Sequence, residues 1–207
     1  KTFGIVESKI QELLLSKLNF EEISLSFLPS FKGVQIIISG NSLSMLKKIS
    51  NEIKSLLGNK IYSIVNLSLE ETIFELLDKQ NLTISIAESC SGGLASDLIT
   101  NISGSSKIFK GSIVSYSNES KISLLNVSKE SIQKFGAVSN QVAKEMAIGV
   151  RKKFNTDIGL SITGIAGPTG ESKDKPVGFT CFGISDKRNN FVKNKILSKH
   201  RRTNKEL

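Results

Sequence analysis

Between residues 73 and 197, short runs of β-branched and other apolar residues alternate with stretches of helical apolar spacing. That alternation constrains the fold more than any other feature of the chain. Ile73, Leu76 and Leu77 mark a helix, Leu82–Ala87 a buried strand, and Leu94–Ile99 a second helix. Ser112–Ser115 reads as the next strand, and Ser139 as the N-cap of a helix reaching Phe154. Ile158–Thr163, Phe179–Ser185 and Phe191–Leu197 read as three more strands. Strands alternating with helices predict an α/β fold: a three-layer α/β/α domain on a mostly parallel mixed sheet.

The first 66 residues follow another pattern. Ile10, Leu13, Leu14 and Leu18 predict a helix over Glu7–Leu18, and Ile23–Leu28 alternates as a strand that Pro29 is expected to break. Val34–Ile38 is a β-branched strand, and Leu43, Leu46, Ile49, Ile53 and Leu57 mark a helix stopped by Gly58, with a short strand after it. This is a small α+β module without a catalytic grouping. A Ser-rich joint at Ile64–Ser68 places the expected boundary between residues 66 and 67.

Composition removes several chemistries. The chain has two cysteines, Cys90 and Cys181, far apart in sequence, and one histidine, His200. Zinc deaminases need a close C-x-x-C pair, and a Ser-His-Asp triad could draw only on His200. A zinc site of that kind and such a triad are therefore not expected, and lysine is the obvious candidate base for a hydrolase built on this chain; no cofactor is expected. The net charge is +9, yet residues 67–185 carry 12 basic and 12 acidic residues, so the excess lies at the two ends. A neutral centre argues against a polynucleotide as the main partner. No apolar run approaches the roughly 20 residues that span a bilayer, and no signal-like start is present, so no membrane partner and a cytoplasmic location are expected. The chain begins at Lys1 rather than Met, as a fragment or a processed chain would.

Three polar or Gly-rich loops each follow a predicted strand, and in open α/β sheets sites form at the carboxyl ends of strands. The first, Glu88-Ser89-Cys90-Ser91-Gly92-Gly93, places hydroxyls beside a helix N-terminus. There Ser91, Gly92 and Gly93 could serve a phosphate or an oxyanion, or simply cap the helix. Ser89 is the candidate nucleophile. Its neighbour Cys90 is the rival, but adjacent side chains at a strand end point opposite ways, which turns Cys90 to the core. The second loop, Tyr116-Ser117-Asn118-Glu119-Ser120-Lys121, supplies a base if burial lowers the Lys121 pKa, with the Tyr116 phenol able to orient the amine. The third, Thr163-Gly164-Ile165-Ala166-Gly167-Pro168-Thr169-Gly170, offers a hydroxyl and backbone donors but matches no phosphate-loop pattern.

Five motifs occur in order: Ala87-Glu88-Ser89-Cys90-Ser91-Gly92-Gly93, Tyr116-Ser117-Asn118-Glu119 with Lys121, Gly136-Ala137-Val138-Ser139, Thr163-Gly164-Ile165-Ala166-Gly167-Pro168, and Lys175-Pro176-Val177-Gly178. Together they resemble the C-terminal domain of the CinA (competence/damage-inducible protein) family, the nicotinamide-nucleotide amidases. The opening segment is similar to the KH-like module that precedes this domain in longer members. The resemblance implies metal-free hydrolysis of nicotinamide mononucleotide to nicotinic acid mononucleotide and ammonia, in pyridine nucleotide salvage, by a homodimer. It makes Ser89 the nucleophile and Lys121 its base, with Tyr116 or Ser106 as a bridging hydroxyl. Thr163, with Gly164 and Gly167 beside it, would contact the substrate, and Arg202 would match an arginine near it, although His200-Arg201-Arg202 departs from the family's Gly-Asp-Arg-like stretch. Ser91 stands where Thr is usual, and the pattern would continue past Leu207 into a closing helix, so 67–207 reads as a truncated amidase domain. The alternative class is a non-catalytic module that binds a nucleotide or RNA. Against its RNA half, the opening module has no G-x-x-G clamp.

Overall fold

The computed structural model describes residues 1–20 and 22–206. It divides into two compact units, Lys1–Thr72 and Ile73–Leu207. The division falls inside a helix rather than at the Ser-rich joint.

In the first unit, helix α1 (Glu7–Leu15) and helix α2 (Leu43–Leu57) share one core with a two-stranded antiparallel sheet of β1 (Ile23–Ser30) and β2 (Gly33–Gly40). The apolar positions of both helices do what their spacing predicts. Ile10 and Leu14 from α1, and Ile49, Ile53 and Leu57 from α2, bury against Ile23 and Val34. Ser42 caps α2 by accepting from the Met45 amide. Pro29 does not break β1, which continues to Ser30 with Pro29 opposite Val34. A strand paired on one side only can leave the missing N–H facing outward. The expected short strand after α2 is a single bridge between Ile61 and Thr2.

Helix α3 (Leu69–Lys79) leads to β3 (Ile84–Glu88), α4 (Leu94–Thr100), β4 (Phe109–Val114), α5 (Asn118–Leu125), α6 (Lys129–Phe135), α7 (Asn140–Phe154), β5 (Ile158–Gly164), β6 (Phe179–Ser185), β7 (Asn190–Ile196) and α8 (Arg201–Glu206). The five strands form one mixed sheet in the order β4-β3-β5-β6-β7. Pairing is parallel through β4, β3 and β5, then antiparallel through β6 and β7. β3 lies inside the sheet, and all five of its residues are buried.

Its alternation sorts the core into two layers. Ile84 and Ile86 pack with Leu77, Ile99 and Ile108 on one face. Ala87 joins Leu125, Val127, Val142, Met146 and Val150 on the other. Ser139 caps α7 as expected, accepting from the Val142 amide. Within the layer, α7 crosses α5 so closely that a Cβ on Gly149 would collide with the main-chain carbonyl of Leu125. Gly149→Ala gains about 1 kcal/mol of helix propensity but overpacks a rigid contact, which costs typically 1–3 kcal/mol or more. A net loss of stability in urea denaturation is expected; a gain would show that the two helices can part freely. No helix among the described residues is long and apolar enough to cross a membrane.

Candidate active site

At the carboxyl end of β3 the chain leaves the sheet through Glu88 into the Ser89–Gly93 loop. Ser89 is held there because its amide still donates to Ile162 O of β5, 3.0 Å away. β4 ends beside it, and Ser117 then nucleates α5, its side chain accepting from the Ser120 amide in a reciprocal capping box. This places Lys121 in the second turn of a helix, not on a polar turn. Its side chain runs inward and is only 1% exposed.

The amine of Lys121 lies 3.0 Å from Ser89 Oγ. It also donates to the main-chain carbonyls of Ser115 at 2.6 Å and Tyr116 at 3.4 Å. All three acceptors are neutral. Burial without a carboxylate partner disfavours the ammonium and brings the Lys121 pKa down to about 8, the nearby Cys90 opposing slightly. A neutral amine has two N–H bonds and one lone pair. With the two carbonyls taking the N–H groups, the lone pair is left for the Ser89 hydroxyl, which is the arrangement a general base needs.

No bridging hydroxyl is required, so the role expected for Tyr116 or Ser106 is corrected. Ser106 is exposed on a 3₁₀ turn, and its carbonyl accepts from Lys110. The Tyr116 phenol instead accepts from Arg201 at 2.9 Å. Cys90 is buried as expected, tucked so closely against β5 that a Cβ on Gly164 would come within 2.9 Å of its sulfur. It still borders the cleft, but burial pushes the thiol pKa up, and the Lys121 amine bonds the Ser89 hydroxyl, which makes Ser89 the activated nucleophile.

Ser89, Lys121 and Tyr116 open into a cleft of about 320 Å³, walled by Ala137, Val138 and the Thr163–Gly170 region. Thr163, Gly164 and Gly167 all line it, and Thr163 Oγ1 is fixed by donating to Ala137 O at 3.0 Å. Ser91, Gly92 and Gly93 do not. The helix N-terminus they open is already filled, because the Glu88 carboxylate accepts from the amides of Gly93 at 2.9 Å, Ala95 at 3.2 Å and Ser96 at 2.9 Å, and from Ser96 Oγ at 2.5 Å. An internal anion therefore occupies the position expected for a phosphate or oxyanion. Ser91 Oγ is buried without a hydrogen-bond partner among the described residues. The motifs alone give Glu88 no role; its signal in the sequence is a carboxylate at the end of a buried strand, which needs local donors.

Arg202 also moves out of the site. Its side chain is 93% exposed and pairs with Glu206, whereas Arg201 reaches the cleft and donates to Gly167 O at 2.9 Å as well as to Tyr116. Among the described residues, no group of three or more His, Cys, Asp or Glu side chains gathers to hold a metal ion.

The CinA C-terminal domain model matches residues 66–207, which hold every group just described. The chain belongs to the CinA family. It is 39% identical over 204 residues to a putative competence-damage inducible protein of Thermoanaerobacter pseudethanolicus, covering 96% of this chain and 49% of the relative. It is 54% identical over 140 residues to a CinA-like protein of Dictyoglomus thermophilum, covering 68% of this chain and 34% of that protein. The chain thus spans about half the length, or less, of these relatives. Among solved structures it resembles the competence/damage inducible protein CihA of Agrobacterium tumefaciens, with a TM-score of 0.64 and 34% identity over 66% of this chain and 84% of that one. Residues 1–65 lie outside the CinA domain match.

Proposed function

We propose that this CinA-family domain is a Ser/Lys amidase that converts nicotinamide mononucleotide to nicotinic acid mononucleotide and ammonia. The observation that carries the reading is the unbridged 3.0 Å contact between a buried, cation-disfavouring Lys121 amine and the Ser89 hydroxyl at the mouth of a cleft. Neutral Lys121 takes the Ser89 proton as Oγ bonds to the carboxamide carbon. The C–N bond then breaks, and the Lys121 ammonium returns that proton to the departing nitrogen, which leaves as ammonia. Water, deprotonated by the same amine, cleaves the acyl ester to release the carboxylate and restore Ser89. Charge on the carbonyl oxygen falls to main-chain donors of the cleft wall outside α4, since Glu88 holds the α4 amides. The guanidinium of Arg201 takes the place first given to Arg202 and meets the nucleotide phosphate.

The test is ammonia release from nicotinamide mononucleotide by the intact protein across pH 6–10. Only the neutral amine is a base, so kcat/KM is expected to rise with unit slope in the logarithm up to pH about 8 and then level. A profile flat through this range would remove Lys121 as the base. Nucleotide binding without ammonia release would favour the binding-module alternative.

A further inference from the structure

Arg201 is an exposed residue on a helix of six residues, too short to be stable alone, so a buried side chain has to hold that helix against the cleft. The side chain that does so is Asn204. It is 5% exposed, and its two ends are used in opposite directions. Nδ2 donates to the carbonyl of Ala166 at 3.0 Å, in the loop that walls the cleft. Oδ1 accepts from the amide of Ser198 at 2.7 Å, where the chain leaves β7 and turns toward α8. That turn is anchored in its own right: the Leu197 amide donates to Gly178 O at 3.0 Å, and Gly178 lies so close to Ser198 that a Cβ on it would strike the Ser198 carbonyl. Asn204 is thus the one α8 side chain that fastens the helix at once to its own entry turn and to the cleft loop. Arg201 lies one turn before it, and its donation to Gly167 O falls on the residue next to Ala166.

We propose that Asn204 is a positioning residue for phosphate recognition, setting α8 so that Arg201 points into the cleft. The inference rests on the amidase reading and adds to it a division of labour: Ser89 and Lys121 act on the carboxamide, while Asn204 acts only through Arg201. Removing Asn204 leaves a short helix tied to the cleft only through the exposed Arg201 side chain and its bonds to Gly167 O and Tyr116, so the guanidinium samples positions away from the cleft. Binding of the phosphate-bearing substrate weakens, and the chemistry on bound substrate continues. Nicotinamide riboside carries the same carboxamide without the phosphate, so its turnover reports Ser89 and Lys121 alone.

The experiment measures ammonia release by the intact protein from nicotinamide mononucleotide and from nicotinamide riboside, with Asn204→Ala, Asn204→Asp, Arg201→Ala and the Asn204→Ala/Arg201→Ala double variant. Asn204→Asp keeps the acceptor for Ser198 but sets a carboxylate against the Ala166 carbonyl, so it breaks only the tie to the cleft loop. Both Asn204 variants are expected to raise KM for the mononucleotide about tenfold, with kcat within about twofold, consistent with a displaced binding group. Turnover of the riboside is expected to match wild type, which also serves as the control for folding. In the Arg201→Ala background, Asn204→Ala should add nothing further. An unchanged KM, an equal loss on both compounds, or additive effects of the two substitutions would overturn the positioning role while leaving the amidase reading intact. A wild-type protein that releases ammonia from neither compound would overturn both.

Discussion

Lys121→Met is expected to lower ammonia release by roughly 10²–10⁴-fold, the usual worth of a positioned general base, with Ser89→Ala falling at least as far. The same substitution carries a second, independent signature in stability. In the unfolded chain Lys121 titrates near 10.5, whereas the fold lowers it to about 8. Between those values the unfolded state binds a proton that the native state has released, so stability rises with pH across this window. Below pH 8 both states are protonated, and the cost of burying the ammonium is present in full. The shift corresponds to about 3 kcal/mol in all. Met fills similar volume and does not titrate. Wild type should therefore gain about 3 kcal/mol on the Lys121→Met variant in urea denaturation between pH 8 and 10.5. Parallel stability profiles would mean that the amine is solvated in the native state, and the base would lose its physical basis. A residue that weakens the fold at neutral pH, where its charge is buried without a counter-ion, is well explained by use in the cleft.

How far these groups could be read from the chain depends on whether their position is set locally. β3 and β5 are plain in Ile84–Ala87 and Ile158–Thr163 because Ile and Leu alternate there with small residues at the two-residue period of a strand. α7 is plain from its Ser139 cap and its spacing. α5 and α6 are not, since eight and seven residues rich in Ser, Lys, Glu and Gln give no clear apolar face and resemble turns. From sequence alone Lys121 therefore reads as a loop residue, although it lies in α5. The choice between Arg201 and Arg202 cannot be made from spacing, because neighbours on a helix point about 100° apart and the facing is decided by Asn204 reaching Ala166. The Ser91–Gly93 loop misled for a related reason. A helix N-terminus advertises anion binding in sequence, but Glu88, five residues before Gly93, had already answered it.

That internal anion is the origin of the second large effect. Glu88→Ala is expected to destabilise the protein by about 3–5 kcal/mol, the cost typical of removing one partner from a buried charged network. Glu88 is fully buried, and the amides of Gly93, Ala95 and Ser96 that it satisfies have no helical acceptor, being the first turn of α4. Each would be left dry and unpaired, and the favourable alignment of the carboxylate with the helix dipole would vanish. Glu88→Gln keeps one oxygen acceptor but turns an NH₂ group toward N–H donors, so an intermediate loss of about 1–3 kcal/mol is expected. The main-chain carbonyl of Glu88 accepts from the Ser115 amide at 2.8 Å in either variant, so what the substitutions change is the carboxylate's hold on the far end of the nucleophile loop at Gly93, Ala95 and Ser96. Glu88→Gln should accordingly lower kcat more than it raises KM, since a loosened Ser89–Gly93 loop lets Ser89 drift from Lys121 while Arg201 and its bonds to Gly167 and Tyr116 are untouched. Chemical denaturation of both variants, paired with steady-state ammonia release by Glu88→Gln, measures the two effects separately. A stability loss under about 1 kcal/mol for Glu88→Ala would show that solvent reaches the α4 amides, and that the carboxylate is not what keeps phosphate from this helix end.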